Sequence, residues 1–214
     1  MAGKDKIEQF AEVAKTIFAP VYPVVARQIL NTLDIHKGLC LDIGTGPALL
    51  VYETARQSSL KLVGIDNKEK ALCIARGILK EKDPHGKIIS RISLGVADVL
   101  NLPFKNDTFD LVISRGSLFF WQDKVRGIKE VYRVLKTGGK AMLGGGFGNK
   151  RLKEQIATEI KAVYPDWEER VEKRRQKFTP DTLRALALKA NIGAYRIIYD
   201  EVNMWIVFEK DENF

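Results

Sequence analysis

The chain has few of the residues that form disulfide frameworks, metal clusters and membrane spans. Its 214 residues include two cysteines and two histidines, and no apolar stretch approaches the roughly 20 residues of a membrane-spanning helix. The opening segment from Met1 to Lys6 lacks the apolar region of a signal peptide. These absences exclude a disulfide-stabilised miniprotein, and they predict a cytosolic protein without a membrane span. Because Cys40 and Cys73 both lie in apolar runs, we expect both thiols to be buried.

Positive charge is in moderate excess. Lysine and arginine total 35 against 27 acidic residues, giving a net charge of +8, which allows weak attraction to nucleic acid, anionic lipid or an acidic substrate. Between Lys150 and Phe178, basic and acidic residues are interleaved. This mixture is more typical of a solvated helix than of a phosphate-binding track.

Short β-branched runs alternate with helical patterns from about residue 38 onwards, which predicts an α/β fold with a mostly parallel sheet. The predicted strands are 39–43, 62–66, 92–96, 111–114, 141–144, 195–199 and 205–208. The predicted helices are 48–57, 68–82, 124–135, 152–163 and one with Thr179 as its N-cap and Pro180 at its first position.

We expect one domain over residues 1–214, with a catalytic core at 38–214 that includes a helical insertion at 147–180. Residues 1–37 form a predicted helical cap, in which helices over 7–33 are interrupted at 19–23 because proline cannot continue an interior helix. This segment either covers the ligand edge of the sheet or packs as scaffold, and the sequence favours neither.

The segment from Leu39 to Leu50 is an apolar strand that ends in an acid, followed by a glycine turn and a helix. Gly44 and Gly46 allow the backbone to approach a ligand closely, next to the free N–H groups of a helix N-terminus. A dinucleotide-binding fingerprint requires glycine where Leu49 stands. Asp42 favours a cationic or amine-bearing ligand and repels a pyrophosphate, so the pocket suits an aminoacyl nucleoside better than a dinucleotide.

Two further acids end the next two strands. Asp66 is placed to accept hydrogen bonds from both hydroxyls of a ribose. Asp98 is placed to meet the exocyclic amine of an adenine, while Val99 offers a backbone N–H. Each acid alone is typical of a cap or a solvated side chain, whereas three at successive strand ends predict one nucleoside site.

These segments resemble the class I S-adenosylmethionine-dependent methyltransferases, especially the small-molecule enzymes of ubiquinone and menaquinone biosynthesis. The resemblance rests on five segments: 41–47, 64–66, 97–104, 109–114 and 130–139. It implies a Rossmann-like seven-stranded sheet with helices on both faces and an antiparallel last strand. It also implies that S-adenosyl-L-methionine is the cofactor, that S-adenosyl-L-homocysteine is its product, and that the predicted cofactor-binding residues are Asp42, Gly44, Thr45, Gly46, Asp66, Asn67, Ala97, Asp98, Val99 and Ser114. The chain departs from the family pattern at Ala48, where a third glycine is usual, and at Thr137, where proline is usual.

The acceptor side is predicted from the fourth strand and its surroundings. His36 and His85 precede strands and are expected near the opposite edge, so an imidazole base is not expected. Arg115 and Ser117 are the predicted catalytic residues, because a guanidinium holds an anion and a hydroxyl can orient it. An equally open alternative for Arg115 is a structural salt bridge. The predicted substrate-binding residues are Tyr22, Arg115, Trp121 and Phe147.

The predicted function is methyl transfer from S-adenosylmethionine to a small anionic or hydrophobic acceptor, by direct in-line displacement. The acceptor atom, whether oxygen, sulfur, carbon or nitrogen, stays open. One alternative is a non-catalytic nucleoside-binding or regulatory protein with this fold. An RNA methyltransferase is a further alternative, but Ser114 to Ser117 lack the motif typical of nucleic-acid amine methyltransferases, and nucleic acid is not an expected partner. No metal site is predicted, because no acidic and histidine cluster has ligand spacing.

Overall fold

A twisted sheet of seven strands forms the centre of the computed structural model, which describes residues 5–211. The strands are β1 (Lys37–Ile43), β2 (Ser59–Asp66), β3 (Ile92–Val96), β4 (Phe109–Arg115), β5 (Leu135–Gly146), β6 (Tyr195–Tyr199) and β7 (Asn203–Glu209). Their order is β3-β2-β1-β4-β5-β7-β6. Neighbours from β3 to β5 pair in parallel, and β7 is antiparallel to both β5 and β6. This arrangement confirms the predicted Rossmann-like fold with an antiparallel last strand.

The helices are α1 (Lys6–Lys15), α2 (Val21–Leu33), α3 (Leu49–Arg56), α4 (Glu69–Lys82), α5 (Lys124–Val134), α6 (Lys150–Ile160), α7 (Trp167–Lys177) and α8 (Pro180–Lys189). The Thr179 side chain accepts a hydrogen bond from the Thr182 N–H, so the predicted N-cap of α8 is confirmed. The break between the first two helices precedes Val21, while Pro23 lies in the first turn of α2, where a missing N–H removes no helical hydrogen bond. None of the helices within residues 5–211 combines the length and apolarity that crossing a bilayer requires.

Helices cover both faces of the sheet, because adjacent residues of the buried strands point to opposite sides. Cys40 belongs to the apolar cluster that includes residues of α2, α3 and α4, whereas Leu41 belongs to the cluster that includes α5 and α8. Both side chains are fully buried. A parallel sheet buried on both faces leaves the carboxyl edge of its strands as the place where ligands bind.

One buried-thiol prediction is wrong. Cys40 is buried as expected, but Cys73 is exposed on α4. The buried face of α4 carries Leu72 and Ala75. Cys73 follows Leu72 by one residue, about 100° around the helix, which turns its thiol away from that face. Residues 1–4 of the predicted cap and 212–214 of the predicted core lie outside the described residues.

Candidate active site

The turn after β1 folds across the end of β2. The backbone N–H groups of Gly44 and Thr45 donate to the Ile65 carbonyl at 2.8 and 2.9 Å. Gly44 and Gly46 have φ angles of +71° and +51°, in the left-handed region that glycine enters without steric cost. A side chain at Gly44 would also overlap Ser117. The two predicted glycines are therefore required by the backbone shape of this turn and by its contact with the loop after β4.

Asp42 is a buried carboxyl group with a strongly shifted pKa. Only 2% of the residue is exposed, and burial raises its pKa from 3.8 to about 7. The Thr45 hydroxyl lowers this pKa, the Asp66 charge raises it and the Arg115 charge lowers it. Within residues 5–211, Asp42 forms no salt bridge with a lysine or arginine. A ligand cation beside this carboxyl group would stabilise its ionised form.

Thr45 brings an unsatisfied polar atom to the same place. Its Oγ1 is buried and lies near enough to Asp42 to lower the pKa of that carboxyl group, but no group in the described part of the chain forms a hydrogen bond of normal length and angle with it. The hydroxyl lies close to β2, because a Cβ atom built on Gly64 would be 3.0 Å from Oγ1. An unpaired buried hydroxyl costs about 1–3 kcal/mol, which a hydrogen bond to a ligand would recover.

Asp66 lies at the carboxyl end of β2, next to this turn. Its Oδ2 accepts from the Gly46 N–H at 3.0 Å, and its Oδ1 accepts from the Lys68 N–H at 2.9 Å. A carboxylate has about four lone-pair sites, so both oxygens can still accept further hydrogen bonds. Asn67 is exposed, and the Ala97 N–H donates to the Asp66 carbonyl at 3.1 Å, which fixes the end of β3 beside the end of β2.

Asp98 and Val99 follow β3 at the same edge of the sheet. Asp98 is exposed, and its Oδ1 accepts from the Leu100 N–H at 2.9 Å, while Val99 is buried. The structure therefore brings Asp42, Asp66 and the glycine turn together, with Asp98 on the next strand end. Their roles toward a ligand stay predictions.

The two predicted serines at the end of β4 belong to one hydrogen-bond network. The hydroxyls of Ser114 and Ser117 are 2.7 Å apart, and Ser117 Oγ donates to the Ile43 carbonyl at 2.8 Å. Trp121 Nε1 donates to the same Ser117 oxygen at 3.1 Å. Ser117 thus joins the end of β1 to the loop after β4, a structural role that the sequence does not reveal. Its catalytic role stays a prediction.

Arg115 is placed between the sheet and the N-terminal helices. Its guanidinium carbon lies 5.2 Å from the centre of the Tyr22 ring and 5.7 Å from that of Phe18, and its Nε donates to the Gly146 carbonyl at 3.0 Å. Burial lowers the pKa of Arg115, an effect that Tyr22 and Asp42 oppose. Because Arg115 forms no salt bridge with any described carboxylate, the alternative of a structural salt bridge is not supported.

The other aromatic candidates differ in burial. Among the predicted substrate-binding residues, Trp121 is buried, and the half-buried Phe147 stacks on Phe18 at 6.5 Å. Phe119 and Trp205 are also buried, whereas Phe120 is 72% exposed beside Phe119. Both histidines, His36 and His85, are exposed. Within residues 5–211, no group of three or more His, Cys, Asp or Glu side chains is arranged to hold a metal ion.

Arg174 is a further residue at this site that the sequence analysis missed. It lies on α7, with its guanidinium carbon 5.1 Å from the Phe119 ring and 5.3 Å from the Phe120 ring. A signal was available in the spacing of Trp167, Val171 and Phe178, which places Arg174 on the one apolar face of an otherwise charged helix. When the charged residues of α7 are considered as one mixed set, this apolar face is easily overlooked.

Comparisons with known proteins agree with this geometry. A family model described as a methyltransferase domain matches residues 41–143. The structure is also similar to a crystal structure of a candidate S-adenosyl-L-methionine-dependent methyltransferase from Methanococcus maripaludis, with 34% identity, a TM-score of 0.91 and coverage of 100% of this chain and 99% of the other. The chain belongs to the S-adenosylmethionine-dependent methyltransferases.

Curated relatives of this methyltransferase carry names from quinone chemistry. The ubiquinone/menaquinone biosynthesis C-methyltransferase UbiE of Geotalea uraniireducens is 32% identical over 75% of this chain and 70% of its own length. The rice 2-methyl-6-phytyl-1,4-hydroquinone methyltransferase 1 is 30% identical over 64% of this chain. The chain spans only 40% of the length of that rice relative.

The residues at the carboxyl edge of the methyltransferase fit the adenosyl sulfonium that the family uses. The buried Asp42 carboxyl lacks a cationic partner among the described residues, and the Thr45 hydroxyl lacks a hydrogen bond. Asp66 has unused lone pairs. A ligand with an ammonium group and a ribose would complete all three groups.

Proposed function

We propose that this methyltransferase transfers a methyl group from S-adenosylmethionine to a small acceptor with an aromatic or otherwise apolar body. The observation that carries the proposal is the buried Asp42 carboxyl group, whose pKa burial raises to about 7, next to the unsatisfied Thr45 hydroxyl. Both groups lie where parallel strands end, which is the ligand edge of such sheets.

Four residues are proposed to hold the methyl donor. Asp42 faces its ammonium group, directly or through water, since that cation offsets the cost of an ionised buried carboxyl. Asp66 accepts hydrogen bonds from the ribose hydroxyls, and Asp98 with the Val99 N–H meets the adenine. When bound, S-adenosylmethionine supplies an activated methyl group on its sulfonium.

The acceptor is proposed to lie beside the end of β4. Displacement at a methyl group depends mainly on aligning the two reactants at close range. Tyr22, Trp121 and Phe147 supply apolar walls, and Arg115 supplies a positive charge. The named quinone and hydroquinone methyltransferases among the relatives support a small ring-shaped acceptor. The proposal needs no histidine, in keeping with the exposed positions of His36 and His85.

The cofactor site is tested by calorimetric titration with S-adenosylhomocysteine. We expect Asp66→Ala to weaken binding about 100-fold or more, because two hydrogen bonds to a charged group are lost. Asp34→Asn is the control, since Asp34 is an exposed aspartate beyond α2, at the opposite edge of the sheet. Failure of the unaltered protein to bind, or equal binding by Asp66→Ala, would remove the proposed donor site.

Methyl transfer itself is tested with a donor labelled in its methyl group. Incubation with a metabolite extract is expected to give a labelled small molecule that is absent when Asp66→Ala replaces the unaltered protein. Binding of S-adenosylhomocysteine without any labelled product would favour the alternative of a non-catalytic nucleoside-binding protein.

A further inference from the structure

We propose that Arg174 and Arg115 together bind an anionic group, a carboxylate or a phosphate, on the methyl acceptor. This inference rests on the proposed function and adds a chemical class to its acceptor. Arginine suits the role because its planar guanidinium can form two parallel hydrogen bonds to one carboxylate or phosphate. We call these two residues the arginine pair.

Arg174 differs from the arginines next to it on α7. Arg170 is paired with Asp166, its Nε 2.7 Å from Oδ2, and Arg175 donates to the Asp200 carbonyl at 2.7 Å. Arg174 is half-buried, and among residues 5–211 its side chain forms no ion pair and no hydrogen bond. Its guanidinium lies over the Phe119 and Phe120 rings, so its hydrogen-bond donors are free for a ligand.

Arg115 contributes a second positive charge to the same region. Its Nε donates to the Gly146 carbonyl at 3.0 Å. The adjoining Gly145 packs against the Phe119 ring that lies under Arg174, since a Cβ built on Gly145 would be 3.2 Å from that ring. Burial lowers the pKa of Arg174, and the nearby charge of Arg115 lowers it further. Both guanidinium groups nevertheless stay protonated at neutral pH. Two like charges in a partly desolvated region repel one another, and an anion between them would remove that cost.

The described carboxylates do not neutralise the arginine pair. Asp42 is the carboxyl group that acts on Arg115, and its own pKa is about 7, so it carries only part of a negative charge at neutral pH. Lys124, a further basic residue nearby, adds to the excess of positive charge. Lys124 lies 5.6 Å from the centre of the Phe178 ring, and Phe178 in turn packs on Phe119 with ring centres 4.9 Å apart.

The two aromatic rings beneath Arg174, Phe119 and Phe120, define the rest of the ligand. Phe120 is 72% exposed and Phe119 is buried beside it, so an apolar surface adjoins the positive charges. A ligand with an aromatic ring and a carboxylate matches both features, whereas a neutral amide of the same shape matches only the apolar one. Benzoate and benzamide are therefore matched probes.

Titrations of benzoate into the full chain, with and without S-adenosylhomocysteine, test the pair through the arginine Nε–H signals in NMR spectra. We expect benzoate to shift these signals at concentrations where benzamide does not. Arg174→Gln should weaken benzoate binding about 10- to 100-fold, and Arg174→Lys should restore part of it. Arg170→Gln is the control because it makes the same change on an arginine of α7 that already has a partner.

Arg174 could instead bind the carboxylate of the methyl donor, so a separate experiment tests that possibility. Arg174→Gln is expected to leave the affinities for S-adenosylhomocysteine and for 5′-methylthioadenosine, which lacks that carboxylate, unchanged within about 2-fold. A selective loss of S-adenosylhomocysteine affinity would assign Arg174 to the donor and overturn the proposal. Equal binding of benzoate and benzamide, or no effect of Arg174→Gln on benzoate, would also overturn it. Because benzoate is titrated without S-adenosylhomocysteine as well, failure of the donor site gives a separate result.

Discussion

The two halves of the ligand edge differ in charge and in how the chain builds them. The half that we propose binds the methyl donor, the donor half, lies at the ends of β1, β2 and β3 and carries the carboxylates of Asp42, Asp66 and Asp98. The half that we propose binds the acceptor, the acceptor half, lies at the end of β4 and carries the arginine pair among aromatic rings. Under this proposal, a cationic donor is attracted to the first half and an anionic acceptor to the second. The difference in charge would orient the two reactants toward each other before any chemistry begins.

The halves also differ in the chain segments that form them. The donor half comes from residues 42–99, and each of its acids lies within two residues of the end of a strand. The acceptor half combines Tyr22 of α2, Arg115 of β4 and Arg174 of α7, which meet only when the helices pack on the sheet. Residues on separate helices can change without altering the sheet, so this half is suited to vary with the substrate.

Asp42→Asn tests the charge of the donor half, and it has the largest expected effect on stability. The pKa of Asp42 is raised by burial from 3.8 to about 7, so the folded protein binds a proton that the unfolded chain has released across this range. Stability from this group is present below pH 4 and is lost as the pH rises to about 7. Relative to Asp42→Asn, the unaltered protein should lose on the order of 4 kcal/mol across this window. Urea unfolding between pH 4 and 8 measures the difference.

Asp110→Asn is the control, because the stability that Asp110 contributes should change with pH in the opposite direction. Burial alone would raise the pKa of Asp110, but hydrogen bonds from the Lys136 ammonium and the Leu39 N–H lower it overall. The stability from Asp110 is therefore present at neutral pH and is lost as the pH falls below 4. A pH-independent difference between the unaltered protein and Asp42→Asn would contradict the assigned pKa of Asp42.

Gly44→Ala tests whether the two halves depend on one another, because Gly44 belongs to the donor turn and contacts Ser117 of the acceptor half. An alanine Cβ would overlap Ser117 and would occupy a φ of +71°. Left-handed strain of about 1–2 kcal/mol and overpacking of about 1–3 kcal/mol predict a loss of about 3 kcal/mol in the free energy of unfolding. S-adenosylhomocysteine affinity should fall in the same variant.

Gly77→Ala provides the comparison for Gly44→Ala, since Gly77 lies inside α4 and an added Cβ would have no atom within 4 Å beyond its chain neighbours and the backbone of its own helix. The free energy of unfolding of this variant should rise by about 0.5–1 kcal/mol, because alanine favours the helix. Denaturant unfolding of both variants gives the two values. If Gly44→Ala were as stable as Gly77→Ala, the contact between the halves would carry no energetic coupling.

The sequence predicts where the residues of the donor half lie in the fold, because the signals that place them are local, while their roles toward a ligand stay predictions. An acid that ends an apolar strand needs only the strand pattern to be placed at the sheet edge, and the order of the strands then brings Asp42 and Asp66 together. The glycine turn is equally local, since Gly44 and Gly46 follow β1 directly. Fold class and strand positions follow from the same alternation of strands and helices.

The acceptor half is predicted only in part because its contacts are long-range. The predicted strand before Arg115 is enough to place that residue at the sheet edge, but the contact of Arg174 with the Phe119 ring depends on how α7 packs on the sheet. The network of Ser117 likewise joins β1 to the loop after β4. The prediction that Cys73 is buried is wrong for a related reason, because residues adjacent in sequence do not share a helix face.

Ala48→Gly probes the donor half at its one departure from the usual glycine pattern and has the smallest expected effect. Ala48 has a φ of +59°, which costs a non-glycine residue about 1–2 kcal/mol. Its methyl group is also fully buried, and removing it costs about 0.8 kcal/mol. The greater freedom of glycine in the unfolded chain costs about 0.4–1 kcal/mol more. These costs nearly cancel the relieved strain, so we expect a change below about 0.5 kcal/mol. Ala55→Gly in α3 removes a methyl that is equally buried but relieves no strain, and should cost about 1.3–1.8 kcal/mol. Equal losses in the two variants, measured by thermal unfolding, would mean that the turn holds alanine without strain and that the missing glycine has no energetic consequence for the donor half.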